Sequence, residues 1–408
     1  MTTHLTPQRE RWLLLTLASI QFTSVLDFMI MMPLGPQLTK LFGISAGQFG
    51  FLVSAYTFSA GLSGFLAATY IDRLGRKRMM LTFYPLFGAA ALACSIAPSF
   101  AWLMAARVAS GFFGGVLMAL SQTIVAEVVP FERRGRAMGL VMTSFSVATV
   151  AGVPLALFLV SHINWHAPFV AIAVMVSLIA LCASQTLPSL KGHLQTHTDA
   201  NSVRLIVANL RAVLVDPNHL RAFAMSASMV FAGFAVIPYI TLYLQANAGF
   251  EPAQIPYVYL CGGVSTLITA RWIGHWSDRA GKAYAFRRLA LLMPLPLLGM
   301  TLTAALPMAG VLLVSTLLFV VMSGRMIPGM ALIGASADPH RRGSFMTLNS
   351  AVQSLAMGLA ALVGGLILGR DGNGHLTHYW VSALVGGSAS VLSFVLSSKL
   401  RLHGAATN

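Results

Sequence analysis

Acidic residues are scarce in this chain. One of them, Asp27, stands in the run SVLDFMIMMPLGP (Ser24 to Pro36), among leucine, phenylalanine, methionine and isoleucine. A carboxylate in such surroundings takes up a proton rather than remain charged, unless a cation or hydrogen-bond donors reach it. A group that alternates between those two conditions can carry a proton. Arg107, in ARVASGFFGG, is a cation in equally apolar company, and an arginine in hydrocarbon needs a partner or water. Two readings of Asp27 stand. It is a proton carrier, or it is a permanently satisfied structural acid, hydrogen-bonded by Thr23 or Ser24 or locked to Arg107.

Other residues have types that could bind or react. Arg271 and Arg325 also lie in apolar stretches; both read as structural or gating residues, and an anionic substrate follows only if they face a cavity. Asn349 and Gln353, in TLNSAVQS, are one helical turn apart, and such a stripe serves equally to bind a substrate or to join helices. Tyr56, Phe231, Tyr239 and Tyr243 are candidates to line a lipophilic substrate cavity, although aromatic residues in apolar helices more often pack. No G-x-x-x-x-G-K-[ST], HExxH or G-x-S-x-G occurs. ATP-driven and hydrolytic chemistry therefore have no visible residues, and the chain is not expected to be an enzyme. Cys94, Cys182 and Cys261 form no CxxC pair. His193 and His197 have metal-ligand spacing but fall in SLKGHLQTHTDANS, a polar stretch that reads as a solvated linker. No cofactor and no metal are expected.

Composition sets the elements that must hold these residues. The chain is 57% hydrophobic and 9% charged, against about a quarter charged in soluble domains, which marks an all-α membrane protein. A span needs about 20 apolar residues. Twelve segments qualify, near 12–34, 48–71, 80–98, 101–129, 138–160, 167–186, 221–245, 254–274, 288–306, 309–334, 344–368 and 379–398. The start, QRERWLLLTLASI, has the order of a signal peptide, but its apolar run continues to about Leu34 without a small-residue cleavage site, so it reads as the first span.

With the N-terminus inside, nearly all of the 26 lysines and arginines fall in inner segments. Lys40 and Arg370 fall in outer loops, and Arg107, Arg271 and Arg325 within spans. This asymmetry predicts both termini in the cytoplasm, and a bacterial inner membrane is the expected location. It also accounts for the net charge of +15 through contact with anionic lipid headgroups, so no nucleic-acid partner is expected. At about 1.5 Å per residue, Asp27 stands about 22 Å up a core of about 30 Å, and Arg107 about 9 Å from the outer end of the fourth span. The two charges are therefore expected at similar depth. Arg325, about 24 Å from the outer end of its span, lies nearer the cytoplasm. Residues 187–220 form a cytoplasmic linker in which Ile206, Leu210 and Leu214 recur on one face, as in an amphipathic surface helix. It separates a six-span half at 1–186 from another at 221–408.

The halves repeat. YIDRLGRKR (Tyr70 to Arg78) matches WSDRAGKAY (Trp276 to Tyr284), aligning Asp72 with Asp278 and Gly75 with Gly281. FERRGRAMG matches PHRRGSFMT, and Pro33 matches Pro238, all at nearly one offset. In these residues the chain resembles the major facilitator superfamily over essentially its whole length. The family's signature between the second and third spans, G-x-x-x-D-R-x-G-R-[RK], is present as Asp72, Arg73, Gly75, Arg76, Lys77 and Arg78, without the glycine usual before the aspartate. The resemblance implies the major facilitator fold of two six-helix halves. It also implies a cytoplasmic gate of Asp72, Arg73, Gly75 and Arg76, with Asp278 and Gly281 in the repeat, meeting Arg136 or Arg342. A topology signal alone would explain those arginines but not the aspartates.

ARVASGFFGG resembles the family's fourth-span signature, with Arg107, Gly111, Gly114 and Gly115. In the antiporters that it is similar to, the arginine assists proton exchange at an acid on the first span, here Asp27. The fifth-span exporter signature, G-x-x-x-G-P-x-x-G-G, is matched only by Gly152 and Pro154, with Val153 between them and Leu157 and Phe158 in place of the closing glycines. The resemblance implies a proton-coupled secondary transporter of the drug/proton antiporter branch. Such a protein exports a small molecule against protons by alternating access, as a monomer in the bilayer. Within the same fold, the alternative is proton-coupled uptake or facilitated diffusion of a small metabolite, an anion included.

Overall fold

The computed structural model describes residues 6–70, 75–129, 131–187, 208, 210–338 and 341–402. In chain order, the first helices are α1 (Pro7–Ile30), α2 (Gly35–Phe42), α3 (Ala46–Tyr70), α4 (Arg76–Ser95) and α5 (Phe100–Val128). Then come α6 (Phe131–Val147), α7 (Val153–His162), α8 (Ala167–Thr186), α9 (Pro217–Phe234), α10 (Ile240–Asn247) and α11 (Ile255–Ala280). The last are α12 (Lys282–Leu292), α13 (Pro294–Thr301), α14 (Met308–Ser336), α15 (Arg342–Ile367) and α16 (Tyr379–Ser398). A two-stranded hairpin, β1 (Gly369–Arg370) with β2 (Leu376–Thr377), precedes α16. Helix occupies each of the twelve expected segments. Among the described residues, nine helical stretches are long and apolar enough to cross a membrane. The others, α4, α11 and the pair α12–α13, are too polar or too short in their unbroken parts. The amphipathic segment of the linker lies mostly outside the described residues, with helix at 210–215.

Proline decides where several of these helices break. The first span is expected near 12–34. Instead α1 ends at Ile30, residues 31–34 form turns, and Pro36 opens α2. A proline in a helix interior removes a hydrogen bond and clashes with the preceding turn, whereas in the first turn its missing N–H costs nothing. Pro238, its counterpart in the repeat, lies in a 3₁₀ turn (Ile237–Tyr239) between α9 and α10. In the fifth segment, α6 and α7 are joined by a π turn, Ala148–Gly152, directly before Pro154. Pro154 cannot donate to the carbonyl four residues back, and the wider turn absorbs the lost bond.

The chain forms two compact units, residues 1–31 with 55–206, and residues 32–54 with 207–408. The division falls inside α3, between Ser54 and Ala55. In the first unit, α1 packs on α5, α6 and α8, and α4 on α5 and α8. In the second, α9 packs on α15 and α16, α11 on α14, and α10 on α2. There the early turns of α3 lie against α15, where Ser54 Oγ donates to the Gly358 carbonyl at 2.7 Å. Large apolar side chains such as Leu181, Ile268, Trp272 and Leu313 stand exposed on the helix surfaces, a surface suited to hydrocarbon.

Small residues set the helix spacing in the first unit. A Cβ on Gly111 would fall 2.2 Å from the Tyr56 carbonyl oxygen, and one on Gly115 would fall 2.3 Å from that of Ala60. These glycines let α5 approach the backbone of α3. Gly111→Val is therefore expected to destabilise the protein by roughly 1–3 kcal/mol, the usual cost of overpacking. Gly139→Ala, in an exposed helical position with nothing within 4 Å, should be neutral or slightly stabilising. Thermal unfolding of the two purified variants in detergent checks the contrast.

Candidate functional site

Asp27 lies three residues before the end of α1, and Arg107 lies in the second turn of α5. Both side chains are fully buried. Arg107 Nη1 donates to Asp27 Oδ2 at 2.8 Å and to the Asp27 main-chain oxygen at 3.2 Å. The similar depth of the two charges has become a direct ion pair. Thr23 and Ser24, the alternative partners, both turn their hydroxyls to the Ile20 carbonyl instead. Three atoms of the pair, Asp27 Oδ1 and Arg107 Nε and Nη2, have no hydrogen-bond partner among the described residues. The Cys94 thiol lies close by, but a thiol is only a weak acceptor.

Tyr56, on α3, completes this cluster. Its ring stacks on Phe28 at 5.4 Å, and the Arg107 guanidinium carbon lies 4.5 Å from its centroid. Its hydroxyl donates to the Ser24 carbonyl at 3.2 Å. Gly111 and Gly114 hold this ring near Arg107, since a Cβ at either would meet Tyr56 atoms within 3 Å. The fifth-segment signature borders the same place. A Cβ on Gly152 would come within 2.9 Å of Leu26 Cδ1, and Thr149 Oγ1 reaches Met29 Sδ at 3.6 Å. Tyr56 is thus part of the Asp27–Arg107 site rather than an isolated aromatic.

The arrangement explains how a charge pair survives in an apolar bundle. Burying either ion alone costs several kcal/mol, and their attraction offsets that only with good geometry and further hydrogen bonds. If Asp27 accepts a proton, the pair loses its neutrality and Arg107 keeps only a neutral carboxyl, the Asp27 main-chain carbonyl and the Tyr56 ring. A cation over a desolvated aromatic face is worth about 2 kcal/mol. Protonation of one oxygen is therefore felt directly by α5 and α3.

Where α4 begins and α5 ends, Arg76 is buried and donates from Nε and Nη2 to Glu127 Oε1, at 3.0 and 2.6 Å. Glu127 was not singled out from the sequence. The available signal was that it is the sole acid in the 29 residues of α5 and lies at that helix's last turn. Lys77 Nζ donates to the carbonyls of Ser184 and Leu187 at 2.7 Å, and Arg133 pairs with Glu10 at 3.1 Å. Asp72 and Arg73 lie outside the described residues, as does the side chain of Arg136. In the repeat, Gly281 joins α11 to α12 at φ 92°, a conformation that needs glycine, whereas Gly75 has φ −62°. Asp278 and Arg342 are exposed, with no ion pair for either among the described residues.

The remaining candidates fall in the second unit. Arg325 is fully buried and donates to Ser390 Oγ at 3.0 Å and to the Met229 carbonyl at 2.6 Å, joining α14 to α16 and α9. Arg271 is exposed, about two and a half turns before the end of α11. The Tyr239 hydroxyl donates to the Ala361 carbonyl. That of Tyr243 donates to the Thr301 carbonyl at 2.5 Å, its ring 4.6 Å from that of Tyr379. Phe231 is half-buried. Gln353 Nε2 donates to Ser226 Oγ at 2.9 Å, and Asn349 is buried without a partner among the described residues. Among the described residues no group of His, Cys, Asp and Glu side chains could hold a metal.

Comparison with known proteins places this geometry. The model of the Major Facilitator Superfamily matches residues 17–328. The uncharacterized MFS-type transporter YtbD of Bacillus subtilis (strain 168) is 26% identical over 93% of this chain and 94% of its own length. The chloramphenicol resistance protein of Streptomyces lividans is 28% identical over 88% of this chain and 89% of its own. Among solved structures, a D-xylose-proton symporter superposes with a TM-score of 0.76 at 15% identity, covering 99% of this chain and 100% of that one. A bacterial homologue of the lysosomal transporter Spinster, in an inward-facing and occupied conformation, gives 0.71 at 15% identity, with 98% and 100% covered. At such identities the structures show the fold alone. With a matched family model across most of its length and helices long enough to cross the bilayer, this chain is a multi-pass membrane transporter belonging to the major facilitator superfamily.

Proposed function

We propose that the protein is a proton-coupled exporter in which Asp27 carries the proton and Arg107 with Tyr56 respond to its charge. The observation that carries this reading is the fully buried Asp27–Arg107 pair with Asp27 Oδ1 still unpartnered. A structural pair would satisfy its remaining atoms, because an orphaned polar group in hydrocarbon costs free energy at every moment. An acid with one oxygen held and one open is suited to take up and give back a proton. In this reading the two six-span halves, 1–186 and 221–408, alternate access around the site, with both termini in the cytoplasm of the inner membrane. Asp72, Arg73, Gly75, Arg76, Arg136, Asp278, Gly281 and Arg342 form the inner gate. The ion pair of buried Arg76 with exposed Glu127 supports that assignment, because it ties a gate arginine to a neighbouring helix. Export is favoured by the similarity to the chloramphenicol resistance protein, and chloramphenicol is the first substrate to test.

In liposomes containing the purified protein, an imposed pH gradient should drive chloramphenicol movement in the direction opposite to proton flow. Asp27→Asn is expected to reduce gradient-driven movement to the level of protein-free liposomes, while the protein still folds. Full gradient-driven transport by that variant would refute the proton-carrier role, and movement with the proton flow would instead assign uptake.

The aromatic face has its own test in the same assay. Tyr56→Phe keeps the ring over Arg107 and should transport at close to the wild-type rate. Tyr56→Leu removes it and should slow gradient-driven transport about tenfold, as expected for losing a desolvated cation–π contact. Equal rates for the two variants would show that the ring does not act on Arg107.

A further inference from the structure

The face of α15 that carries Phe345, Asn349 and Gln353 looks onto α9. Phe345 stacks on Phe223 at 4.8 Å and lies 4.9 Å from the ring of His219. Two turns further on, Gln353 Nε2 donates to Ser226 Oγ at 2.9 Å and reaches Met330 Sδ at 3.2 Å. Asn349 stands between these two contacts, 1% exposed, and neither its amide nitrogen nor its oxygen has a partner among the described residues. The two amides of one stripe are thus used differently. Gln353 joins helices, as amides in membrane bundles commonly do. Asn349 is held buried at a standing free-energy cost, because its polar atoms are unsatisfied.

We infer that Asn349 is a substrate-binding residue, which pairs with a neutral group of the transported molecule able both to donate and to accept a hydrogen bond, such as a secondary amide. The class follows from the chemistry of the site. The amide offers one acceptor oxygen and two donor hydrogens, so an amide edge satisfies both of its ends. Its polar neighbours on the stripe and across from it, Gln353 and Ser226, are uncharged. The guanidinium of Arg325 is engaged with Met229 and Ser390 instead. The inference rests on the family assignment as a transporter of small molecules, and it does not depend on proton coupling at Asp27.

The test uses the full-length protein in detergent, without any gradient, so that proton coupling at Asp27 can fail without touching it. Thermal unfolding is measured for the wild type, Asn349→Leu and Gln353→Leu. The probes are chloramphenicol and thiamphenicol, neutral molecules with a secondary amide and hydroxyls, against benzoate and tetraphenylphosphonium. Without ligand, Asn349→Leu should unfold at the wild-type temperature or above it, and Gln353→Leu about 2 °C or more below it. The neutral probes should raise the unfolding temperature of the wild type saturably. In Asn349→Leu the concentration needed should rise about tenfold or more. A fall in unliganded stability of Asn349→Leu matching that of Gln353→Leu would make Asn349 structural and overturn the inference. A wild type shifted by neither neutral probe, or an undiminished shift in Asn349→Leu, would overturn it equally.

Discussion

One ion pair constrains the rest of the first unit. Arg107 cannot be buried in an apolar bundle without compensation, and Asp27 supplies it from another helix at 2.8 Å. Every feature around them follows from keeping that distance. Glycines at 111 and 114 bring α3 close enough for Tyr56 to cover the guanidinium, and Gly152 lets α7's leading turn press against α1 beside Asp27. The charges are not decoration on a packed bundle. The bundle is packed so that two charges can remain in it.

The same constraint links structure to transport. A pair that is neutral when both members are charged becomes a lone cation when the acid takes a proton. Its energy then depends on whether water, substrate or only Tyr56 and a backbone carbonyl surround Arg107. The proposed proton coupling needs such a dependence, because proton uptake would have to favour one arrangement of helices over another. The π turn at Ala148–Gly152 adds a place where the backbone bordering this site departs from regular helix. Elsewhere in this unit, the ion pair of buried Arg76 with exposed Glu127 likewise binds an arginine's charge to a neighbouring helix.

Much of this was legible in the sequence because membranes make sequence patterns strict. Span length reflects the thickness of the bilayer, and helix occupies the segments it marks. The depth estimate put Asp27 and Arg107 together because helix rise is constant. Tyr56 and Glu127 were harder. An aromatic in an apolar helix carries no sign of which face it presents, and Tyr56 is identified only by the glycines opposite it. Glu127 is an ordinary acid at a helix end until α4 brings Arg76 to it. Asn349 and Gln353 were indistinguishable as letters, and their difference lies in what α9 offers to each. The first span, expected to run to about residue 34, ends at Ile30, since a proline at 33 announces a disturbance without specifying its form.

The central claim is that the Asp27 carboxyl takes up and releases a proton within the buried pair. Infrared difference spectroscopy of the purified protein in lipid, comparing the wild type with Asp27→Asn, tests it most directly. The account predicts a protonated-carboxyl band in the wild type that fades between mildly acid and mildly alkaline pH and is missing from the variant. No such band, or one that persists unchanged in Asp27→Asn, would contradict it.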